Sequence, residues 1–270
     1  MELADLVAAA LAEDLGERGD VTSLVTIPEG TRARGRVVAR SGGVFAGRAF
    51  GEEVLRQMGV DATWQAVDGT VLSPGEPVVG VDGPARAVLS AERTLLNGMS
   101  HLSGIATQTA RFVEAARPAK VLDTRKTTPG WRALEKAAVA AGGGVNHRIG
   151  LFDMVLVKDN HLAIGGVELA AAVARARDEL PGVPVEVEAD DLDGVRLALA
   201  AGADRVLLDN MDEDTMRQAV ELCRGRAETE GSGGMDLAGV ARAAACGVDY
   251  VSVGALTHSS PALDLALDIA

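Results

Sequence analysis

The sequence predicts an α/β protein with a small N-terminal domain of helices and strands, followed by an open, incomplete α/β barrel of about six parallel strands. Three observations predict this class. Short apolar runs recur through the second half of the chain, each run ends in polar residues, and a helical segment follows each one. The runs begin roughly 20 to 35 residues apart, which is the length of a strand, a helix and the return to a parallel strand. An open doubly wound sheet is the alternative.

The N-terminal part reads as mixed structure. An apolar helix is predicted near Leu3–Leu11, and extended segments near Ala33–Ala39, Ala62–Val67 and Pro77–Val81 are separated by Gly- and Pro-containing turns. A long helix is predicted at 90–116, because its apolar residues recur with a spacing of three and four. These signals divide the chain into domains at 1–108 and 109–270.

The six predicted strands of the barrel follow the long helix in order. They lie at Val121–Leu122, Met154–Val157, Val183–Val187, Arg205–Leu208, near Ala227, and Tyr250–Val253. Because the carboxyl ends of parallel strands meet at one face of a barrel, the residues after each strand should gather around one site.

Composition excludes several classes of function. The chain has 270 residues, 47% of them hydrophobic, and a formal net charge of -13, which disfavours an extended nucleic-acid surface. No apolar run approaches the roughly 20 residues that span a bilayer, and the start lacks signal-peptide features, so we expect a soluble cytoplasmic protein without a membrane partner. The two cysteines, Cys223 and Cys246, fall in apolar helical segments and are interpreted as buried free thiols.

Basic residues concentrate in one region of this acidic chain. Between Arg111 and Lys158 there are nine Lys or Arg and four Asp or Glu, a local net charge of +5. Such an island indicates a small anionic ligand. Four of its cations are interpreted instead as solvated charges on helices, namely Arg111, Arg117, Arg132 and Lys136.

The predicted strand ends carry a coherent set of groups. Arg125, Lys126 and Lys158 follow the first two strands, where they can neutralise carboxylates or pyrophosphate. The last two strands lead into Gly- and Ser-containing loops at 230–234 and 254–259, with helices predicted to start near Asp236 and Pro261. Backbone N–H groups at such helix starts favour phosphate.

Two carboxylates follow the middle strands. Glu188 and Asp209 project from neighbouring strands, where they can hold sugar hydroxyls, a magnesium ion or a cationic transition state. His147, beside Arg148, is a candidate ligand contact, whereas His101 is expected to pack on the long helix. The four histidines are too scattered to indicate a transition-metal centre.

The sequence resembles the quinolinate phosphoribosyltransferases over nearly its whole length. The segments that carry the resemblance are EDLG at 13–16, GDVTS at 19–23, ERTLLN at 92–97, DTRKTTPG at 123–130, NHR at 146–148, KDNH at 158–161, EVE at 186–188, LDN at 208–210 and SVGALTH at 252–258.

The resemblance implies an N-terminal α/β sandwich, an open barrel, and a homodimer in which Arg93 enters the partner's site, with a hexamer left open. It implies that Arg125, His147, Arg148 and Lys158 surround quinolinate. It also implies that phosphoribosyl pyrophosphate and Mg²⁺ lie among Lys126, Glu188, Asp209, Ser232, Gly233, Gly254 and His258. Lys126, Glu188 and Asp209 are the expected catalytic residues, and no direct protein ligand of Mg²⁺ is assigned.

The implied activity is decarboxylating transfer of a phosphoribosyl group to quinolinate in NAD biosynthesis, giving nicotinate mononucleotide, pyrophosphate and carbon dioxide. Two alternatives remain open. One is a related transferase with a different aromatic acceptor, including those encoded with molybdate transport systems. The other is a barrel that binds a phosphorylated metabolite without transferring it.

Overall fold

The computed structural model describes residues 2–270 and divides them into two compact units. The first unit contains residues up to 110 together with 128–143 and 259–270, and the second contains 111–127 and 144–258. Segments distant in sequence therefore contribute to the first unit. Within residues 2–270, no helix is both long enough and apolar enough to cross a membrane.

The first unit is built around a four-stranded antiparallel sheet in the order β12-β1-β5-β3, with a separate two-stranded ladder of β2 and β4. Its strands are β1 (Arg32–Ala39), β2 (Gly43–Val44), β3 (Asp61–Trp64), β4 (Val71–Leu72), β5 (Pro77–Pro84) and β12 (Leu265–Ile269). Its helices are α1 (Leu3–Leu15), α2 (Val21–Thr26), α3 (Arg48–Gln57), α5 (Arg132–Ala141) and most of α4 (Ala85–Ala116), whose last turn belongs to the second unit.

The second unit contains six parallel strands. They are β6 (Lys120–Leu122), β7 (Val155–Val157), β8 (Val185–Ala189), β9 (Arg205–Asp209), β10 (Glu228–Ser232) and β11 (Tyr250–Ser252). The helices are α6 (Asp159–Gly165), α7 (Leu169–Glu179), α8 (Leu192–Ala201), α9 (Glu213–Cys223), α10 (Leu237–Ala245) and α11 (Ala255–His258).

The strand order distinguishes the two predicted folds. From β7 to β11 each strand lies beside the next one in the chain, and β6 lies beside β11, so the order lacks the reversal that defines a doubly wound sheet. The terminal strands β6 and β7 are not paired with each other, so the barrel is open. The prediction of an incomplete barrel is confirmed, and the doubly wound alternative is wrong.

Local sequence explains why the helices begin where they do. Asp191, Asp212 and Asp236 each precede a helix, and each carboxylate accepts a backbone N–H three residues later, at 2.8, 2.8 and 2.6 Å. Aspartate at this position satisfies an otherwise unpaired helix N–H. These caps fix the ends of the loops that leave β8, β9 and β10 at the site.

The predicted helix at Pro261 is wrong. Residues 259–264 form no regular element, and α11 ends at His258. Leu263 N–H donates to the Ser100 carbonyl on α4 at 2.9 Å, and the Pro261 carbonyl lies where a side chain on Gly104 would be, 2.2 Å from its Cβ position. The segment packs its backbone against α4, with one hydrogen bond to it, and then continues into β12.

The interpretation of Lys136 as a solvated charge is also wrong. Its residue is 1% exposed, the preceding Glu135 is fully buried, and Lys136 is engaged with a neighbouring group. A buried charge requires such a partner. Arg111 and Arg117 are exposed as expected, and Arg132 is half-buried. Both cysteines are free and buried, as predicted.

Candidate active site

The carboxyl ends of the parallel strands surround a cavity of about 890 Å³ in the second unit. Eleven of the twelve site residues expected from the sequence line it: Arg125, Lys126, His147, Arg148, Lys158, Glu188, Asp209, Ser232, Gly233, Gly254 and His258. The twelfth, Arg93, lies on α4 in the first unit, where it lines a different cavity of about 430 Å³. Nine of the eleven follow the ends of the six parallel strands, whereas His147 and Arg148 lie in the segment between α5 and β7.

Lys126 is positioned by the loop after β6 and by α11. Its backbone carbonyl accepts a hydrogen bond from Thr257 Oγ1 at 2.7 Å, and its N–H donates to Thr124 Oγ1 at 3.1 Å. A methyl group on Gly254 would come within 3.0 Å of Lys126 Cδ and 3.3 Å of His258 Nε2. The glycine thus lets the lysine side chain lie across the loop beside His258.

The loop after β10 requires a glycine at 233. Gly233 has a φ of +109°, and a Cβ there would lie 2.3 Å from Asn210 Oδ1. Asn210, itself at a φ of +52°, donates its N–H to the Ser232 carbonyl at 3.1 Å. This close approach holds the loops after β9 and β10 together at the cavity.

Two arginines lie at one end of the cavity. Arg148 Nη1 donates to the Met154 carbonyl at 3.2 Å, and the Nε atom of Arg125 is buried without a hydrogen-bond partner. Burial, and then the positive charge of Arg125, lower the pKa of Arg148 below its ordinary value. Both effects would be relieved by an anion between these side chains.

The two carboxylates predicted at the middle strand ends have different surroundings. Glu188 forms an ion pair with Lys158, whereas Asp209 Oδ2 accepts a hydrogen bond from Asn210 Nδ2 at 2.7 Å. Both line the cavity. Such hard oxygen donors suit Mg²⁺ bound to phosphate oxygens.

A buried cluster of one histidine and two glutamates at the wall of the cavity was not predicted. His147 Nε2 lies 2.9 Å from Glu186 Oε2 and 3.3 Å from Glu230 Oε2, and both carboxylates are at most 1% exposed. Within residues 2–270 this is the one group of three side chains whose geometry could hold a metal ion. The imidazole already supplies a proton donor to these carboxylates, so the cluster is self-contained as an ion-pair network.

The pKa values in this cluster are displaced. Burial would lower the pKa of His147, but the hydrogen bonds and charges of Glu186 and Glu230 outweigh it and raise that pKa to about 9. The Arg148 N–H, which donates to His147 Nδ1 at 2.8 Å, acts in the opposite direction because a second ring proton would occupy that position. Burial raises the pKa of Glu186.

Known sequences match this chain over almost its full length. Residues 20–103 match the family described as "Quinolinate phosphoribosyl transferase, N-terminal domain", and residues 105–268 match the corresponding C-terminal domain. The chain belongs to the quinolinate phosphoribosyl transferase family. The family resemblance stated from the motifs is therefore confirmed.

Individual members of the family agree in length and fold. A Mycobacterium leprae protein named nicotinate-nucleotide pyrophosphorylase [carboxylating] is 45% identical, covering 98% of this chain and 96% of its own. A Bacillus subtilis protein with the same name, marked probable, is 41% identical over 100% of this chain and 94% of its own. The nicotinate-nucleotide pyrophosphorylase structure from Francisella tularensis superposes with a TM-score of 0.93 at 38% identity, covering 99% and 96% of the two chains.

Proposed function

We propose that this chain transfers the phosphoribosyl group of phosphoribosyl pyrophosphate to quinolinate at the cavity of the second unit, releasing pyrophosphate and carbon dioxide. This reaction is the one indicated by the name of its relatives, nicotinate-nucleotide pyrophosphorylase [carboxylating]. The observation that carries the assignment is that eleven predicted substrate contacts, nine of them from the ends of six strands, line one cavity.

The acceptor end of the cavity is the one that holds the two arginines. Quinolinate carries two carboxylates, and a guanidinium can bind a carboxylate through two parallel hydrogen bonds. The unpartnered Nε of Arg125 and the depressed pKa of Arg148 support a dianionic ligand here. Lys158 and His147 complete the proposed acceptor contacts.

The phosphoribosyl end is formed by the last two loops and Lys126. The loop at 232–234 leads into α10, whose first N–H groups, other than that of Gly239 bound by Asp236, favour a phosphate. Ser232, Gly233, Gly254 and His258 are the proposed contacts. Lys126, which lies beside His258 and Gly254, is proposed to stabilise the departing pyrophosphate.

We propose Mg²⁺ as the cofactor, held with the pyrophosphate near Glu188 and Asp209. When bound, it would neutralise charge on the phosphate oxygens. The two carboxylates would also stabilise the positive charge that develops on the ribose as its bond to pyrophosphate breaks. Lys158 holds Glu188 in place for this role through their ion pair.

The chemistry of the acceptor accounts for the loss of carbon dioxide. The ring nitrogen of quinolinate attacks the anomeric carbon and becomes cationic. The 2-carboxylate then leaves as carbon dioxide, and the electron pair that remains on carbon lies next to the cationic nitrogen. The substrate supplies its own electron sink, and a proton from the medium completes nicotinate mononucleotide.

The test is product release with defined acceptors. Labelled carbon dioxide and pyrophosphate should be formed from quinolinate in equal amounts, and neither should appear without phosphoribosyl pyrophosphate. Pyrophosphate release with another aromatic acid but not with quinolinate would favour the related transferase. Binding of phosphoribosyl pyrophosphate without release for any acceptor would favour a binding protein.

We further propose that the protein works as a cytoplasmic homodimer in which Arg93 reaches the partner's cavity. Arg93 is exposed on α4 and does not line the cavity of the second unit.

Arg93→Ala and Lys126→Ala chains should each be nearly inactive alone. Subunit exchange between them should restore about a quarter of wild-type activity per site, because about half the dimers are mixed and each has one intact site. No recovery after exchange, verified by native mass spectrometry, would contradict the shared site.

A further inference from the structure

Glu186 is a buried carboxylate that the proposed reaction does not use. It lies on β8 two residues before Glu188, so both side chains leave the same face of the strand. Glu188 reaches the cavity and pairs with Lys158, whereas Glu186 is 0% exposed and lies one layer deeper. Apart from the approach of His147 Nε2 at 2.9 Å, neither Glu186 oxygen has a donor among the described residues.

Glu230, the second carboxylate at His147, is anchored differently. Arg205 Nη1 lies 3.5 Å from Glu230 Oε2, and the Arg205 guanidinium stacks 4.1 Å from the ring centre of Tyr250. Glu230 therefore has a second cation at the same oxygen that faces His147. Glu186 has no arginine at a comparable distance, so His147 is the cation that holds it, and it lies against the like charge of Glu230.

The backbone N–H and both ring nitrogens of His147 contact protein groups. Its backbone N–H donates to Asp123 Oδ1 at 2.8 Å, and its Nδ1 accepts the Arg148 N–H at 2.8 Å. Its Nε2 faces Glu186 and Glu230. Rotation of the ring would break the hydrogen bond to Arg148 N–H, which fixes the backbone from which the Arg148 side chain enters the cavity.

We propose that Glu186 is a positioning residue that sets the plane of the His147 ring and, through it, the direction of Arg148 toward the acceptor carboxylate. This inference rests on the proposed binding of quinolinate at Arg148. Removing the Glu186 charge should stabilise the fold, because it relieves the repulsion between two buried carboxylates while His147 keeps Glu230 as its partner. A structural ion pair and a positioning carboxylate therefore make opposite predictions for stability.

The experiment compares Glu186→Gln and Glu186→Met with wild type and with Glu179→Gln. Glu179 lies exposed on α7, pairs with Arg175 and is outside the site cavity, so it is the control for loss of a glutamate charge. The Glu186 variants should raise the Tm by about 2 to 4 °C. They should raise the KM for quinolinate about tenfold and leave the KM for phosphoribosyl pyrophosphate within about twofold. Glu179→Gln should change neither KM.

Three results would overturn the inference. A lower Tm with both KM values unchanged would make Glu186 a structural ion pair, and an equal rise in both KM values would indicate general distortion of the cavity. The third result requires Arg148→Ala as a reference, because it shows whether quinolinate binds at Arg148 at all. If it raises the quinolinate KM and Glu186→Gln does not, positioning fails and the proposed function stands. If neither does, the acceptor site itself is wrongly assigned.

Discussion

Two histidine–glutamate pairs, one in each unit, have the same distance between nitrogen and oxygen and differ in how their carboxylates are hydrogen-bonded. His101 Nε2 lies 2.9 Å from Glu135 Oε1 in the first unit, and His147 Nε2 lies 2.9 Å from Glu186 Oε2 in the second. Both carboxylates are fully buried. The pairs are chemically alike, so the groups around them decide what each does.

The second oxygen of each carboxylate makes the difference. Glu135 Oε2 accepts the Thr128 N–H at 3.1 Å, and His101 packs edge-on against Trp131 with its side chain 35% exposed. Glu186 has no such second donor. A fully hydrogen-bonded buried carboxylate supports a fold, whereas one left with unmet hydrogen-bonding capacity costs stability. Glu135 is therefore expected to support the fold, whereas Glu186 is expected to serve the site.

The largest effect is expected when the scaffold pair is broken. Glu135→Ala leaves His101 and the Thr128 N–H without their partner and should lower the free energy of unfolding by about 3 to 5 kcal/mol. Urea denaturation measures it. Glu114→Ala, which removes the exposed Arg117–Glu114 pair, is the control and should cost less than about 1 kcal/mol. Equal losses in the two variants would remove the distinction between the pairs.

Loss of Lys126, which lines the cavity, should reduce activity and leave stability nearly unchanged. Lys126→Ala should lower kcat by about 10²- to 10³-fold, because a positioned cation at developing negative charge contributes on this scale. Its unfolding free energy should stay within about 1 kcal/mol of wild type. Lys120→Ala, at the start of β6 and outside the cavity, is the matched control and should keep kcat. Steady-state kinetics that show the same loss in both would refute the role of Lys126.

Arg148→Ala tests the acceptor end of the site. It should raise the KM for quinolinate through a loss of about 2 to 4 kcal/mol, while the KM for phosphoribosyl pyrophosphate changes little. Initial-rate measurements with each substrate varied in turn give both constants. Equal weakening of the two substrates would contradict the division of the cavity into acceptor and phosphoribosyl ends.

The smallest effect concerns pH. The pKa of His147 is raised in the fold to about 9 from an ordinary 6.5, so its contribution to stability is complete below about 6.5 and is lost as pH rises through 9. We expect a loss of about 1 kcal/mol across this window, reduced by the opposing Arg148 N–H. Thermal unfolding at pH 6, 7.5 and 9.5 should show a shallower slope in His147→Asn than in wild type. Identical slopes would mean that the carboxylates do not hold the ring proton.

The sequence predicted the parts of the molecule that follow from local pattern. Polar residues after short apolar runs located the strand ends, and parallel geometry then implied a shared site for Arg125, Glu188 and Asp209. The Glu186–His147 contact was not predicted, although the alternation of Glu186 and Glu188 along a strand indicates a common face. Alternation gives the face of a side chain but not its partner across the sheet.

The two wrong predictions, at Pro261 and Lys136, fail because tertiary contacts override the local sequence preference. Pro261 suits the first turn of a helix, but the segment donates Leu263 N–H to α4 instead. Lysine usually lies at the protein surface, but the burial of α5 places Lys136 in the interior. The absence of a helix at Pro261 cannot be read from neighbours in sequence, because Ser100, which accepts the Leu263 N–H, lies more than a hundred residues away.

The pairing of β12 with β1 has a consequence for the order in which the protein can form. Five residue pairs, from Gly35 with Ile269 to Ala39 with Leu265, join strands separated by most of the chain. During synthesis, β1 therefore emerges long before its partner and presents an unpaired edge while all six strands of the second unit are still to be made. The first unit begins to be translated first, yet its sheet is the last to be completed.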